Sequence, residues 1–236
     1  MGYSSCDGRG EMQTATMPLY GLTEAALYAK SKTGRLRHWT RDYNGASRVF
    51  PAILDLPEER FRWASISFAN LIEAAVVEDL KDQGLPLSVI RVAHAEAAKI
   101  VGGTHPFARS RISICGHDVL MQTLKKLEES SRDSHDYDVL TKLGQRALSG
   151  VLRSYAVEIE FSGTWPASWW PGGCERGVEL NPEIEFGRPQ VRGVRTEVVR
   201  SMRMGGAAEG EIAEDLRLGT REVHSALAYE ASLRAA

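Results

Sequence analysis

The feature that most constrains the fold is a run of apolar residues with helical spacing in the first half of the chain. From Phe68 to Leu80 these residues recur at intervals of three and four, so they line one face of a helix. Ser67 is a suitable N-cap, and Gly84 lies just past the expected end. A second apolar period follows and stops at the glycine pair 102–103. Because each helix has an apolar face to bury, the sequence predicts that the two pack together.

The rest of the chain predicts shorter elements separated by Gly, Pro and polar turns. Residues 1–17 show no apolar period, and we expect a disordered tail there. Over 32–39, Leu36 and Trp39 share one helical face and the basic residues occupy the other. The remaining expected elements are a strand or wing at Val49–Phe50, a hairpin over 111–121, a helix over 138–157, a hairpin over 159–170 and three short helices after residue 194.

Charge is distributed unevenly along the chain. The formal net charge is only −2, but residues 30–48 contain six Lys or Arg and a single acid. Residues 209–215, in contrast, contain four acids and no base. Local positive charge is what phosphate contacts require. The N-terminal segment therefore suits nucleic acid, and the acidic C-terminal segment repels it.

Several protein classes are excluded by what the 236-residue chain lacks. No apolar run approaches the roughly 18 residues of a membrane span, and no signal peptide is evident, so we expect a cytoplasmic protein. The three scattered cysteines fit free thiols in a reducing compartment. No phosphate-binding glycine loop and no Ser/His/Asp or Cys/His set presents itself. We therefore expect neither an enzyme nor a cofactor.

The histidines do not predict a metal site. His94 falls beside the apolar face of the second helix and is typical of a hydrogen-bonded core histidine. His105, His117 and His135 lie near several aspartates, but they lack the spacing of ligands on one element. We expect no bound metal.

The basic segment over 32–39 is the strongest chemical signal. A recognition helix in the major groove needs basic and polar residues on one face and apolar anchors on the other. The pattern alone is equally that of a solvated surface helix. Two segments, Tyr20–Ala26 (YGLTEAA) and Arg35–Trp39 (RLRHW), resemble the opening of MerR-like winged helices, and the helix pair over 68–100 resembles the second half of that domain.

This resemblance implies a recognition helix in the major groove and a wing on the DNA backbone. It places Arg41 and Arg48 on phosphates. The residues that it assigns to DNA are Lys32, Thr33, Arg35, Arg37, His38, Arg41 and Arg48.

The last third of the chain carries a second resemblance. Residues 181–195 (NPEIEFGRPQVRGVR) resemble the Gly-x-Pro-x-x-x-Gly-Thr-Arg signature of a small helical family known only as a domain of unknown function, and 212–216 and 223–229 continue the match. The chain departs from the signature at Val194, where Thr is usual, and at Thr196–Glu197. That family is similar to VapB-type antitoxins, whose partners are PIN-like ribonuclease toxins. The resemblance implies a C-terminal unit that binds such a toxin.

Arginines and tryptophans are the candidates for that contact. PIN-like nucleases hold Mg²⁺ with carboxylates, so a guanidinium placed among them would inhibit. Each arginine could instead donate hydrogen bonds to local backbone carbonyls. The tryptophans Trp165, Trp169 and Trp170 either anchor a partner or cover the hairpin and pack on the middle region. A second DNA site in this unit is disfavoured by its acids. The candidate toxin-binding residues are Trp169, Trp170, Arg188, Arg192, Arg195, Arg200 and Arg203.

The sequence thus predicts a mainly α protein: an N-terminal MerR-like winged helix-turn-helix with short hairpins, and a C-terminal three-helix unit like a helix-turn-helix. The expected division is a disordered tail over 1–17, a winged-helix DNA-binding domain over 18–103, a mixed α/β dimerisation region over 104–172 and a toxin-binding domain over 173–236. The expected function is that of a type II antitoxin that neutralises a PIN-like ribonuclease and, as a homodimer, represses its own operon at operator double-stranded DNA. The alternatives are a stand-alone MerR-like regulator, whose C-terminal part binds an effector or dimerises, and an adaptor without DNA function.

Overall fold

The computed structural model describes residues 8–44, 49–58, 61–129, 148 and 150–235, and this part of the chain is mainly helical. Its contacts divide the chain into two compact units. The first comprises Met1–Ala156 and Phe161–Pro166, and the second comprises Val157–Glu160 and Ala167–Ala236. The division falls in the hairpin over 159–170, a few residues before the Pro/Gly cluster at 171–173.

The predicted helix pair is confirmed and lies at the centre of the first unit. Helix α4 spans Phe68–Asp82 and helix α5 spans Leu87–Val101. Ser67 caps α4, since its hydroxyl accepts the backbone N–H of Asn70 and the Asn70 side chain accepts the backbone N–H of Ser67. Nearly every side chain of α4 is buried, as expected for a helix surrounded by other elements.

The N-terminal segment is more ordered than the sequence indicates. Helix α1 spans Gly8–Thr16, so the prediction of a disordered tail is wrong for this stretch; residues 1–7 lie outside the described part. Strand β1, Pro18–Tyr20, follows and pairs antiparallel with β4, Ile66–Ser67. Helix α1 packs on α4 and buries Ala15. Contacts distant in sequence therefore stabilise a helix that has little apolar pattern of its own.

The helix pair that carries the basic segment comes next. Helix α2 spans Leu22–Tyr28 and α3 spans Thr33–Trp39, as predicted. Strands β2 and β3, Tyr43–Asn44 and Val49–Phe50, form an antiparallel pair, which confirms the expected strand at 49–50. The order helix, turn, helix, hairpin precedes α4.

The predicted hairpin over 111–121 is wrong, because this segment is helical. Helix α6 spans Ile112–Glu129 and packs along α5. Its buried residues Ile112, Val119, Leu120 and Thr123 recur with helical spacing, while His117 and Asp118 are exposed. Burial against α5 outweighs the turn propensity of the Gly-His-Asp triplet.

The remaining elements agree with the sequence predictions where they are described. Residues 150–158 are helical and form α7, whereas the expected start of this helix near 138 lies outside the described residues. Strands β5 and β6, Ile159–Ser162 and Trp165–Trp169, form the predicted two-stranded hairpin.

The second unit is built on three helices, as predicted. A small hairpin of β7, Gln190–Val191, and β8, Val194–Arg195, leads into α8, Thr196–Met204. Helices α9, Glu209–Leu216, and α10, Thr220–Ala235, complete the unit. Its core is formed by apolar side chains from all three helices, including Val199, Ile212, Val223 and Ala226. Across the described parts of both units, no helix combines the length and apolar composition needed to cross a bilayer.

Candidate nucleic-acid interface and partner-binding unit

A four-residue turn sets the angle between α2 and α3. Lys30 adopts a left-handed conformation with φ of 52°, and the backbone N–H of Ser31 donates to the Ala26 carbonyl at 2.8 Å. On α3, Leu36 and Trp39 are fully buried, so the predicted apolar anchors are confirmed. The opposite face of the helix is consequently directed away from the core.

That outer face carries most of the predicted DNA-binding residues. Lys32, Arg37, His38 and Arg41 are exposed, and Thr33 is half-buried. Arg48 falls in the segment 45–48 between the strands of the hairpin, outside the described residues. The described part of the face therefore presents three cationic side chains and one histidine to solvent, which is the composition that phosphate contacts need.

Arg35 has a different environment from the other basic residues of α3. Its guanidinium pairs with Oε1 of Glu78, a side chain that is only 5% exposed on α4. Oε2 of the same carboxylate accepts the hydroxyl of Ser31 at 2.7 Å. Glu78 thus joins the turn and the basic helix to the central helix, and Arg35 serves first as an internal anchor.

The sequence interpretation missed Glu78, although a signal was present. Glu78 follows Leu71 and Ala75 at helical spacing and so falls on a core-facing stripe of α4. A carboxylate at such a position needs a cation or hydrogen-bond donors, since burying an unpaired charge is costly. The partners Ser31 and Arg35, more than forty residues away in sequence, are evident only in the folded chain.

A second buried carboxylate lies five residues, about one and a half turns, earlier on α4. Glu73 is fully buried, and its oxygens accept hydrogen bonds from His94 Nε2 and His105 Nδ1, each at 3.0 Å. Burial alone would raise the pKa of Glu73, but the positive potential and hydrogen bonds of His94 and His105 lower it to about 2. Glu73 is therefore ionised, and His94 is the hydrogen-bonded core histidine that the sequence predicted.

The tautomer of His105 follows from this carboxylate. Nδ1 must carry a hydrogen to donate to ionised Glu73. The Asn70 amide nitrogen also lies 3.3 Å from Nδ1, but it donates to the Asp55 carbonyl at a shorter 2.9 Å. We assign the Nδ1 hydrogen to the shorter, charge-assisted bond with Glu73.

Metal binding finds no support within the described ranges, where no three His, Cys, Asp or Glu side chains are grouped as ligands. His135 and its neighbouring aspartates fall in the segment 130–147, outside those ranges.

In the second unit, Arg192 occupies the tip of the β7–β8 hairpin. Arg192 and Gly193 both have positive φ, 49° and 81°, as a tight two-residue hairpin turn requires. Arg192 is thus held in a conformation that a non-glycine side chain rarely adopts. Its side chain is 68% exposed and lies 3.7 Å from the Glu222 carboxylate. The turn is fixed by buried Gln190, which accepts the Gly193 N–H at 2.5 Å.

The other predicted arginines are engaged to different degrees. Arg195 donates from Nε to Glu185 at 2.5 Å, and Arg203 donates to the Ala207 carbonyl at 3.2 Å. Arg188 and Arg200 are half-buried. Of this group, Arg192 and Arg203 are exposed, and Arg195 is paired with Glu185.

The tryptophans pack mainly within their own units. Trp165, in the first unit, is buried beneath the guanidinium of Arg109, which lies 3.3 Å from the ring centroid. Trp169, in the second unit, is 3% exposed and donates to Glu158 at 3.2 Å. Trp170 is half-buried. The structure therefore favours the packing alternative for Trp165 and Trp169.

The acids of α9 are on the surface of the second unit. Glu211, Glu214 and Asp215 are exposed, and Glu209 is half-buried. This face would repel phosphates, in agreement with the charge distribution of the sequence. The two units therefore differ in the chemistry that they present: exposed cations on α3 and exposed carboxylates on α9.

The two-unit, mainly helical fold is similar to that of a mycobacterial protein of known structure. The crystal structure of Rv2018 from Mycobacterium tuberculosis superposes with a TM-score of 0.70 at 24% identity, covering 89% of this chain and 97% of that chain. The shared fold thus extends over most of both chains. No protein-family model matches the chain.

Sequence comparison adds a curated relative. The protein named "Putative antitoxin VapB45" of Mycobacterium tuberculosis strain H37Rv is 26% identical over 223 residues, which cover 89% of this chain and 93% of the relative. The similarity therefore includes the segments of both units.

Proposed function

We propose that this chain is the antitoxin of a type II toxin–antitoxin pair, a regulatory protein rather than an enzyme. The observation that carries the proposal is the similarity, over nearly the full length of both chains, to a protein named as an antitoxin. We propose further that the partner is a PIN-like ribonuclease held by the second unit, and that the first unit binds operator DNA. Both activities would take place in the cytoplasm, where the operon and the toxin are found.

The DNA-binding half rests on the exposed cations of α3. All three cations are exposed: Arg37 lies on α3, which Leu36 and Trp39 anchor, and Lys32 and Arg41 flank its two ends. We propose that α3 enters the major groove in the manner of MerR-like winged helices, with the β2–β3 hairpin, including Arg48, as the wing on the backbone. His38 and Thr33 would add polar contacts, and Arg35 would contribute mainly by orienting the helix.

Binding of the full chain to its own promoter tests this half. The affinity should fall steeply with salt, because each phosphate contact releases counterions. Arg37→Ala should weaken binding and reduce the slope of log affinity against log salt by about one. Arg153→Ala, which removes an exposed arginine of α7, is the matched control and should change neither. Salt-independent binding, or equal effects of the two variants, would exclude α3 as the interface.

The toxin-binding half rests on Arg192. A cation held at a tight hairpin tip is preorganised, so little conformational entropy is lost when it enters a cluster of carboxylates. Arg188, Arg195, Arg200 and Arg203 would surround it, with Arg195 fixing the loop through Glu185. Trp170 remains a candidate contact, whereas Trp169 would act through the core of the unit.

Co-purification of the full chain with the product of the adjacent reading frame tests this half. Arg192→Ala should relieve inhibition of the nuclease without lowering the stability of the free chain. Arg221→Ala, an exposed arginine on α10 of the same unit, is the control and should inhibit normally. Failure of the adjacent product to bind, together with intact promoter binding, would instead identify a stand-alone regulator.

We also propose that the chain is a homodimer, since operators read by helix-turn-helix proteins have two half-sites. Light scattering at micromolar concentration should give twice the monomer mass, and protection of the promoter should show twofold symmetry. A monomer protecting a single half-site would contradict this part.

A further inference from the structure

A half-open cleft in the first unit belongs to neither proposed interface. Its volume is about 490 Å³, enough for a small organic molecule. Helix α1 and Met17 form one wall, residues 55–58 together with Phe61 form another, and His105 with Trp165 forms the floor. Every one of these residues belongs to the first unit.

The lining combines negative charge with aromatic and thioether groups. Asp55 and Glu58 are exposed, and within the described residues no lysine or arginine lines the cleft or forms an ion pair with either carboxylate. Phe61 is 52% exposed and stacks on Trp63 at a centroid distance of 5.5 Å. Met12 and Met17 are also partly exposed and adapt readily to a ligand's shape. Carboxylates beside aromatic faces attract cations.

Arg109 is a cation in contact with the floor of the cleft. Arg109 stacks on Trp165, and it donates to the Thr104 carbonyl at 3.2 Å and the Thr164 hydroxyl at 3.1 Å. Burial lowers the pKa of Arg109, and the negative charge of Glu73 offsets part of this shift. Arg109 therefore supports the floor, and Asp55 and Glu58 supply the negative charge of the described lining.

His105 adds a specific hydrogen-bonding group. The residue is 5% exposed, and Nδ1 donates to Glu73, so in the neutral ring Nε2 is an acceptor. Among the described residues no protein group contacts Nε2, and His105 is one of the residues that line the cleft. An acceptor without a protein partner takes a donor from water or from a ligand.

We propose that this cleft binds a flat organic cation that carries an N–H donor. The aromatic body lies against Phe61 and Trp165, the positive charge faces Asp55 and Glu58, and the N–H group donates to Nε2 of His105. Such a ligand would make the first unit a small-molecule sensor in addition to the DNA-binding role proposed above. The site does not depend on that role, because none of its lining residues belongs to α3.

Titration of the full chain with four tricyclic probes, at mildly alkaline pH and without DNA, tests the proposal. The probes are aminacrine, a cation with N–H donors; N-methylacridinium, a cation without them; neutral acridine; and anthracene carboxylate, an anion. Aminacrine should bind best, N-methylacridinium next, and both about tenfold or more tighter than acridine, because charge and cation–π terms add. The anion should bind weakest.

Substitutions that preserve shape locate the site. Asp55→Asn together with Glu58→Gln should weaken both cations about four- to twentyfold and leave acridine unchanged. Phe61→Ala should weaken the cations about two- to fivefold. Glu128→Gln, an exposed carboxylate on α6, is the matched control and should have no effect.

Three results would overturn the proposal. The first is the absence of binding by any probe up to millimolar concentration. The second is binding of acridine as tight as that of the cations, and the third is equal affinity of the Asp55/Glu58 double variant and the parent chain. Equal affinity of aminacrine and N-methylacridinium would exclude the proposed hydrogen bond from the ligand to His105. Promoter binding measured on the same variants reports separately on the DNA-binding proposal.

Discussion

Replacing Glu78 by alanine removes the carboxylate that joins α4 to the turn and helix of the candidate DNA-binding surface. The change deletes two contacts, the ion pair with Arg35 and the 2.7 Å hydrogen bond from Ser31. A hydrogen bond to a charged group contributes about 1.5–3 kcal/mol and one between neutral groups less. Because the Arg35 side chain is 34% exposed, water compensates part of its loss. We expect a total destabilisation of about 2 kcal/mol.

Urea unfolding of a double-mutant cycle separates the ion pair from the other effects. Glu78→Ala, Arg35→Ala and the double variant should give a coupling energy of about 1 kcal/mol. Asp82→Asn, which changes an exposed carboxylate at the end of the same helix, is the control and should stay within about 0.5 kcal/mol of the parent chain.

The same variants connect stability to function. If α3 is the recognition helix, Glu78→Ala should weaken promoter binding although Glu78 is buried on α4, since the orientation of α3 is no longer fixed. A coupling energy near zero would refute the structural reasoning. If the coupling energy is about 1 kcal/mol but the promoter affinity of Glu78→Ala is unchanged, the orientation of α3 does not affect DNA binding.

Three further predictions concern other sites. Because the pKa of Glu73 is lowered from 4.5 to about 2, its stabilisation is present above pH 4.5 and is lost as the pH falls toward 2; this loss of about 3 kcal/mol should be absent from the acid unfolding of Glu73→Gln. Gly34→Ala should raise the free energy of unfolding by about 0.5–1 kcal/mol, since a Cβ there meets no atom within 4 Å; a decrease in thermal stability would contradict it. Thr196→Val should lower the free energy of unfolding by about 1–3 kcal/mol, because it removes the 2.7 Å hydrogen bond to buried Glu230. Calorimetry measures the melting temperature, and an unchanged value would contradict this prediction.

Local sequence patterns predicted the helix pair α4 and α5 and the hairpin over 159–170. The apolar period from Phe68 to Leu80 and the cap at Ser67 gave α4 its correct bounds to within two residues. The failure at 111–121 shows the limit of local patterns. Gly116 and its neighbours favour a turn, but helix α6 buries Ile112 and Val119 against α5, and that energy exceeds a propensity of about 1 kcal/mol per residue.

In the candidate sites, too, local patterns predicted some features and missed others. The exposure of Arg37 and Arg41 was predictable, since at helical spacing they fall opposite Leu36 and Trp39, whereas Lys32 precedes the helix as its N-cap. Arg35 was predicted for DNA as well, because its partner Glu78 lies 43 residues away in sequence and no local pattern links the two. The burial of Trp169 also depends on its unit's packing rather than on its neighbours.

By itself the sequence determined that α2 to α5 and α8 to α10 are helical, which helix is basic on its outer face and where the acids collect. These properties follow from spacing and composition, which act within a few residues. Only the tertiary structure decided that Glu73 and Glu78 are paired buried anions and that Asp55, Glu58, Phe61, His105 and Trp165 surround one cleft. The physical reason is that burial and electrostatic pairing depend on distances in space, and these groups become neighbours only when the chain is folded.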